Sequence, residues 1–180
     1  MGMLAGLAGG KSQARQGDQP APAHLGDLKM HIDRDGRWHY QGSPIARLPL
    51  VRLFASVLRR EDDGSYWLVT PAERGRVTVE DVPFVAVAVR AEGAGREQRL
   101  VFRSNLDEEA TLDAAHPLRL VAEPASGAAI PYILLRDRLE ARILRPVFYH
   151  LVEFGEEIGE DFGVWSNGRF FPLGQLDSVR

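Results

Sequence analysis

Two apolar stripes, each opened by a proline and each followed by a tryptophan-bearing hairpin, constrain this chain more than any other feature. In the first, Leu50, Leu53, Phe54, Val57 and Leu58 recur at three- and four-residue spacing after Pro49. In the second, Val147, Phe148, Leu151 and Val152 do so after Pro146. That spacing gives one apolar helical face, and proline suits the first turn, where its missing N–H breaks no bond. The pattern predicts helices over 48–60 and 145–157, with Leu50, Leu53, Phe54, Val57, Phe148, Leu151 and Val152 buried. Gly155, Gly159 and Gly163 mark the end of the second helix.

Hairpins flank both stripes. Asp35-Gly36 precedes Trp38 and Tyr40, and Asn167-Gly168 sits between Trp165 and Phe170. Such dipeptides accept the positive φ that tight hairpins demand of both turn residues. Ser65–Thr70 with Arg76–Glu80, Phe84–Arg90 with Gln98–Ser104, and Tyr132–Arg136 with Leu139–Ile143 read as further strands. Setting Pro49 on Pro146 aligns two hairpin–helix–hairpin units. The expected fold is α+β, duplicated, with largely antiparallel sheets. Residues 1–23, rich in Gly, Ala, Gln, Ser and Pro, read as a disordered tail. Residues 24–83 form an N-terminal half and residues 84–180 a C-terminal half.

Composition narrows the function classes. The 180 residues carry a net charge of −3, against a dedicated nucleic-acid binder. Only Lys11 and Lys29 among the 22 basic residues are lysine. Arginine suits carboxylate and phosphate, but GC-rich codon usage explains this bias more simply. The absence of cysteine excludes disulfides, zinc–thiolate sites and thiol nucleophiles, and fits a cytoplasmic protein. No apolar run reaches membrane-spanning length.

Recognised catalytic patterns are missing. Gly93-Ala94-Gly95 lacks the third glycine of a dinucleotide loop, and neither Gly-x-Ser-x-Gly nor His-Glu-x-x-His occurs. The five histidines have no ligand spacing, so no metal and no cofactor are expected.

A set of motifs runs in order through the chain: Asp35-Gly36-Arg37-Trp38, Leu50-Val51-Arg52-Leu53-Phe54, Tyr66-Trp67-Leu68-Val69-Thr70-Pro71-Ala72-Glu73, Val79-Glu80-Asp81-Val82-Pro83-Phe84, Leu139-Glu140-Ala141-Arg142 and Gly163-Val164-Trp165-Ser166-Asn167-Gly168. Over residues 25–175 it resembles a proteobacterial family, domain-of-unknown-function family 1285. The resemblance implies a duplicated α+β fold whose C-terminal half is superficially like a pleckstrin-homology domain, with a ligand site where the halves meet. It implies no established activity.

The polar residues nominated for that site are Glu73, Arg136, Arg142, Tyr149 and Glu153. Glu140 and Arg142 share one strand face by the period of two, and Tyr149 and Glu153 are neighbours on one helix face. The expected function is a non-catalytic ligand-sensing or regulatory module, serving signal transduction and binding a small polar or anionic ligand. The alternatives are a protein-interaction module using exposed Trp165, Phe170 and Phe171, and an unrecognised hydrolase.

Overall fold

The computed structural model describes residues 20–175. The tail reading of 1–23 therefore lies largely outside the described residues, while Ala23 already opens the first strand. The chain divides into two compact units. Of the described residues, the first holds those up to Ile32 together with Trp38–Val79. The second holds those from Glu80 onward and also Asp33–Arg37.

The first unit contains β1 (Ala23–Ile32), β2 (Trp38–Tyr40), β3 (Ser43–Pro44), α1 (Leu48–Ser56), β4 (Leu58–Arg60), β5 (Tyr66–Val69) and β6 (Glu73–Val79). Its sheet runs β3-β2-β1-β6-β5-β4. All neighbours are antiparallel except β1 and β6, which pair in parallel. Val51, Phe54 and Ala55 form the buried face of α1. The Phe54 ring stacks on Trp38 at 6.0 Å between centroids.

The helix is shorter than the expected 48–60. It ends at Ser56, whose hydroxyl donates to the Leu53 carbonyl at 2.6 Å. Residues 58–60 form β4, where fully buried Leu58 lies opposite fully buried Leu68. Leu50, Leu53 and Val57 are only half-buried, because the inward stripe runs one residue later, through Val51.

The second unit contains β7 (Phe84–Glu92), β8 (Arg99–Ser104), β9 (Glu109–Thr111), β10 (Leu118–Ala122), β11 (Ala129–Arg136), β12 (Leu139–Ile143), α2 (Arg145–Glu153), β13 (Gly155–Ile158), β14 (Asp161–Ser166) and β15 (Arg169–Gln175). One sheet runs β10-β11-β12-β7-β8-β9, antiparallel except for the parallel pair β12/β7. The other is the antiparallel meander β13-β14-β15. Buried Ser166 links them: its hydroxyl accepts the Leu100 N–H at 3.0 Å, and Asn167 donates to the Gln98 carbonyl at 2.8 Å.

Helix α2 also stops early, at Glu153, and Gly155–Ile158 is a strand rather than a last helical turn. Val147 and Leu151 carry its buried face, with Phe148 and Val152 half-buried beside them. The architecture is α+β with two helices on largely antiparallel sheets.

Turn chemistry is followed in one hairpin and modified in the other. Asn167 and Gly168 both take positive φ, 54° and 72°, between the paired Ser166 and Arg169. At Asp35-Gly36 only Gly36 does, with φ 75°. The loop there spans Asp33–Arg37, and the Asp33 carboxylate accepts the N–H groups of Asp35 at 2.9 Å and Arg37 at 3.0 Å. An Asp carboxylate thus supplies the turn closure that a second positive φ would have given.

Candidate functional site

Strand alternation places a polar row on one face of β10, β11 and β12. Arg119 lies opposite Tyr132, and Tyr132 lies opposite Arg142. Leu139, Ala141 and Ile143 occupy the other face of β12 and are buried. The period of two therefore fixes Glu140 and Arg142 on the polar side.

Tyr132 is the centre of this row and only 5% exposed. The Arg119 guanidinium covers its ring at 4.4 Å from the centroid. Arg119 is itself forked onto Glu140, with both bonds at 2.8 Å, and these bonds raise its already high pKa. The Tyr132 hydroxyl donates to Asp81, 3.1 and 3.2 Å from the two carboxylate oxygens. Burial foremost, and the Asp81 charge after it, hold the phenol above its ordinary value of 10.0.

Arg142 is not forked onto a carboxylate. It donates to the Arg34 carbonyl at 2.6 Å, while its carboxylate contacts are long, 3.5 Å to Asp81 and 3.8 Å to Asp35. The Asp81 contact is made by its Nε, which is buried and makes no hydrogen bond. Arg119, Arg136 and Arg90 instead fork onto Glu140, Glu108 and Glu109 with bonds between 2.6 and 3.3 Å. Arg142 thus keeps a donor in a sheltered place beside a neutral phenol.

The sequence-nominated residues do not gather around it. Arg136 is opposite Leu139, on the far face of the sheet from Arg142, because the register shifts between Leu134 and Arg136. There it holds Glu108 and lies 5.9 Å from the Phe84 ring centroid. Tyr149 and Glu153 are adjacent on the exposed side of α2, with Glu153 3.9 Å from His150. Glu73 belongs to the first unit, where its N–H bonds the Thr70 hydroxyl at 3.0 Å. Tyr132, Asp81 and Arg119 were not nominated. Alternation along 118–122 would have flagged Arg119, but nothing local marks Asp81, which lies in a connection. Among the described residues, no three His, Asp or Glu side chains come together as a metal site.

An alkaline titration checks the Tyr132 environment. Its folded-state pKa is above the unfolded one, so its stabilising contribution is complete below about pH 10 and declines as pH rises through the folded value. Wild type should lose stability faster above that pH than Tyr132→Phe, and the variant should lack the latest-rising phenolate absorbance. Identical alkaline unfolding of the two proteins would show that the phenol is not sheltered.

Residues 18–82 match the family description "Domain of unknown function (DUF1285), N-terminal domain", and residues 83–173 match "Protein of unknown function (DUF1285), C-terminal domain". The chain belongs to the DUF1285 family. It is similar to the crystal structure of a DUF1285 protein from Silicibacter pomeroyi DSS-3, with 44% identity and a TM-score of 0.82, over 88% of this chain and 86% of that one. It is also similar to a DUF1285 protein from Shewanella baltica OS155, with 26% identity and a TM-score of 0.54, over 71% of this chain and 91% of that one. No curated protein matches. The DUF1285 relatives bring no activity with their names.

Proposed function

We propose that this DUF1285 chain is a non-catalytic, ligand-sensing or regulatory module, and that its second unit takes a small polar ligand beside Arg142, Asp81 and Tyr132. The supporting observation is the Arg142 Nε, a buried donor without a hydrogen bond in a cluster whose other arginine, Arg119, is fully forked. An unfilled buried donor is costly unless something accepts from it. Around Arg142 the charges are in balance: Asp81 faces Arg142, Asp35 is shared with Arg37 at 3.5 Å, and Arg119 and Glu140 cancel. That balance favours a neutral or zwitterionic ligand over a dianion: an oxygen for Arg142 and a donor for Asp81. A role in signal transduction in a reducing cytoplasm goes with this reading. The chain has no cysteine, and no described helix is long and apolar enough to cross a membrane.

A thermal-shift screen of amino acids, amides and zwitterionic solutes tests it, with titration of any hit against Arg142→Lys and Asp81→Asn. Each substitution should weaken binding by about tenfold or more, the scale of one charge-assisted bond. A hit whose affinity neither substitution changes would remove these residues from the site.

An interaction surface is the second reading, favoured by one observation. Trp165 and Phe170 are half-exposed, 5.5 Å apart, with the Arg96 guanidinium 4.9 Å from the indole. Phe171 does not join them; it is buried.

We also infer that the two helix–meander segments descend from one unit. Each helix leads into three antiparallel strands with a half-buried tryptophan in the middle one, Trp67 in β5 and Trp165 in β14. Each indole lies under a guanidinium, Arg74 at 4.4 Å and Arg96 at 4.9 Å. Each donates its N–H to a neighbour, Ser65 or Glu156. The segments differ in that β6 joins a six-stranded sheet whereas β15 stays in a three-stranded one. The pleckstrin-like reading of the second unit rests on its antiparallel strands with α2 packed on β7 and β14.

A further inference from the structure

The first unit carries a row of arginines on one face of its sheet, apart from the Arg142 cluster. Arg59 on β4 lies opposite Trp67 on β5, and Trp67 lies opposite Arg76 on β6. Directly opposed residues project from the same face, so these three side chains stand side by side. Leu58, Leu68 and Val77 fill the other face and are buried, which leaves the Arg59–Trp67–Arg76 side to solvent.

Neither guanidinium is hydrogen-bonded or ion-paired to a carboxylate among the described residues. Arg59 donates to the Ser56 and Leu58 carbonyls. The Arg76 side chain meets Asp27 and Asp63 only through the longer-range pull of its charge, which adds to the hydrogen bonds from Lys29 and Ser65 in lowering their pKa values. Nearby acids are engaged elsewhere. Asp27, opposite Arg76, accepts from the Lys29 N–H at 2.8 Å and its ammonium at 3.1 Å. Asp63 accepts from the Ser65 N–H and hydroxyl, and Glu61 holds Arg74 at 3.1 Å.

Trp67 is a fixed wall between the arginines. Its N–H donates to Ser65 at 2.8 Å, Arg74 stacks on its ring, and His24 meets it edge-on at 4.8 Å. Arg59 and Arg76 therefore flank a rigid spacer, on strands about 9.5 Å apart, twice the usual strand separation.

From this we infer that the Arg59–Trp67–Arg76 face binds a small soluble molecule bearing a di- or triphosphate. Charge complementarity selects the ligand: guanidiniums fork onto phosphate oxygens, and a linked pair of phosphates spans the two arginines where one phosphate reaches only one.

Calorimetric titration of the full chain with tripolyphosphate, pyrophosphate and orthophosphate tests this. Tripolyphosphate and pyrophosphate should bind more tightly than orthophosphate, and added salt should weaken them. Arg59→Ala/Arg76→Ala should lower affinity by more than about tenfold with unchanged thermal unfolding, since both side chains face solvent. Arg59→Lys/Arg76→Lys should fall between, keeping charge without the fork. Arg142→Ala should leave this binding intact, which separates it from the site in the second unit. The inference is overturned if tripolyphosphate does not bind wild type, or if the double alanine variant binds equally well. It is also overturned if Arg142→Ala abolishes binding, or if phosphatidic acid vesicles capture the protein while soluble oligophosphates do not.

Discussion

Phe84→Ala should reduce the unfolding free energy by about 3–5 kcal/mol, the range for deleting a wholly buried aromatic ring. Phe84 has no solvent exposure and begins β7, opposite Ala141 of β12. That pairing is the parallel joint of the second six-stranded sheet, where the antiparallel strands on either side meet. Alanine already stands across from it, so no large neighbour can swing in to fill the space. The ring also lies near the Arg136 guanidinium, whose fork onto Glu108 should loosen when that wall is gone. Urea denaturation gives the answer directly, with half-exposed Phe170→Ala as the comparison. A Phe84→Ala midpoint no lower than that of Phe170→Ala would mean that the ring is not part of the core.

Local signals led to the right elements wherever the deciding interaction is itself local. Asn167-Gly168 is a two-residue turn because both residues accept positive φ, a property readable from two letters. Proline at the start of each helix was equally direct. Helix length was not, because Val57 and Leu58 continue the three- and four-residue spacing of Leu50, Leu53 and Phe54. What ends α1 is the pairing of Leu58 with Leu68, ten residues on, and tertiary pairing overrides weak helical preference. The parallel joins β1/β6 and β12/β7 bring together residues with no sequence signature for each other.

The candidate site was legible to the same extent. Alternation put Arg142 on the polar face of β12 correctly, along with Glu140. Arg136 was nominated for the same site, and the register shift between Leu134 and Arg136 turns it to the opposite face. Asp81 could not be found this way, since it reaches Tyr132 from a connection, 51 residues away in sequence. The family resemblance pointed to the fold and left these side chains undetermined.

Gly163→Ala should destabilise the protein by about 3 kcal/mol, at the upper end of the usual effect of overpacking. By sequence this glycine marked a helix end; in the structure it is inside β14, beside a register shift, and paired with Pro172. A β-carbon there would lie 2.4 Å from the Phe171 carbonyl oxygen and 2.9 Å from the Pro172 Cα. Both are backbone atoms of β15, so relief requires the two strands to separate. Gly75 gives the contrast, since the atoms nearest a β-carbon there belong to the Leu28 side chain, which can rotate aside. Strand separation at Gly163 would reach Ser166 and Trp165, where the meander is held to Leu100 and Gln98. The near-ultraviolet signal of Trp165 should therefore change together with the urea midpoint. Gly75→Ala should lower the midpoint less, and a Gly163→Ala protein as stable as Gly75→Ala would show that β14 and β15 are not packed this closely.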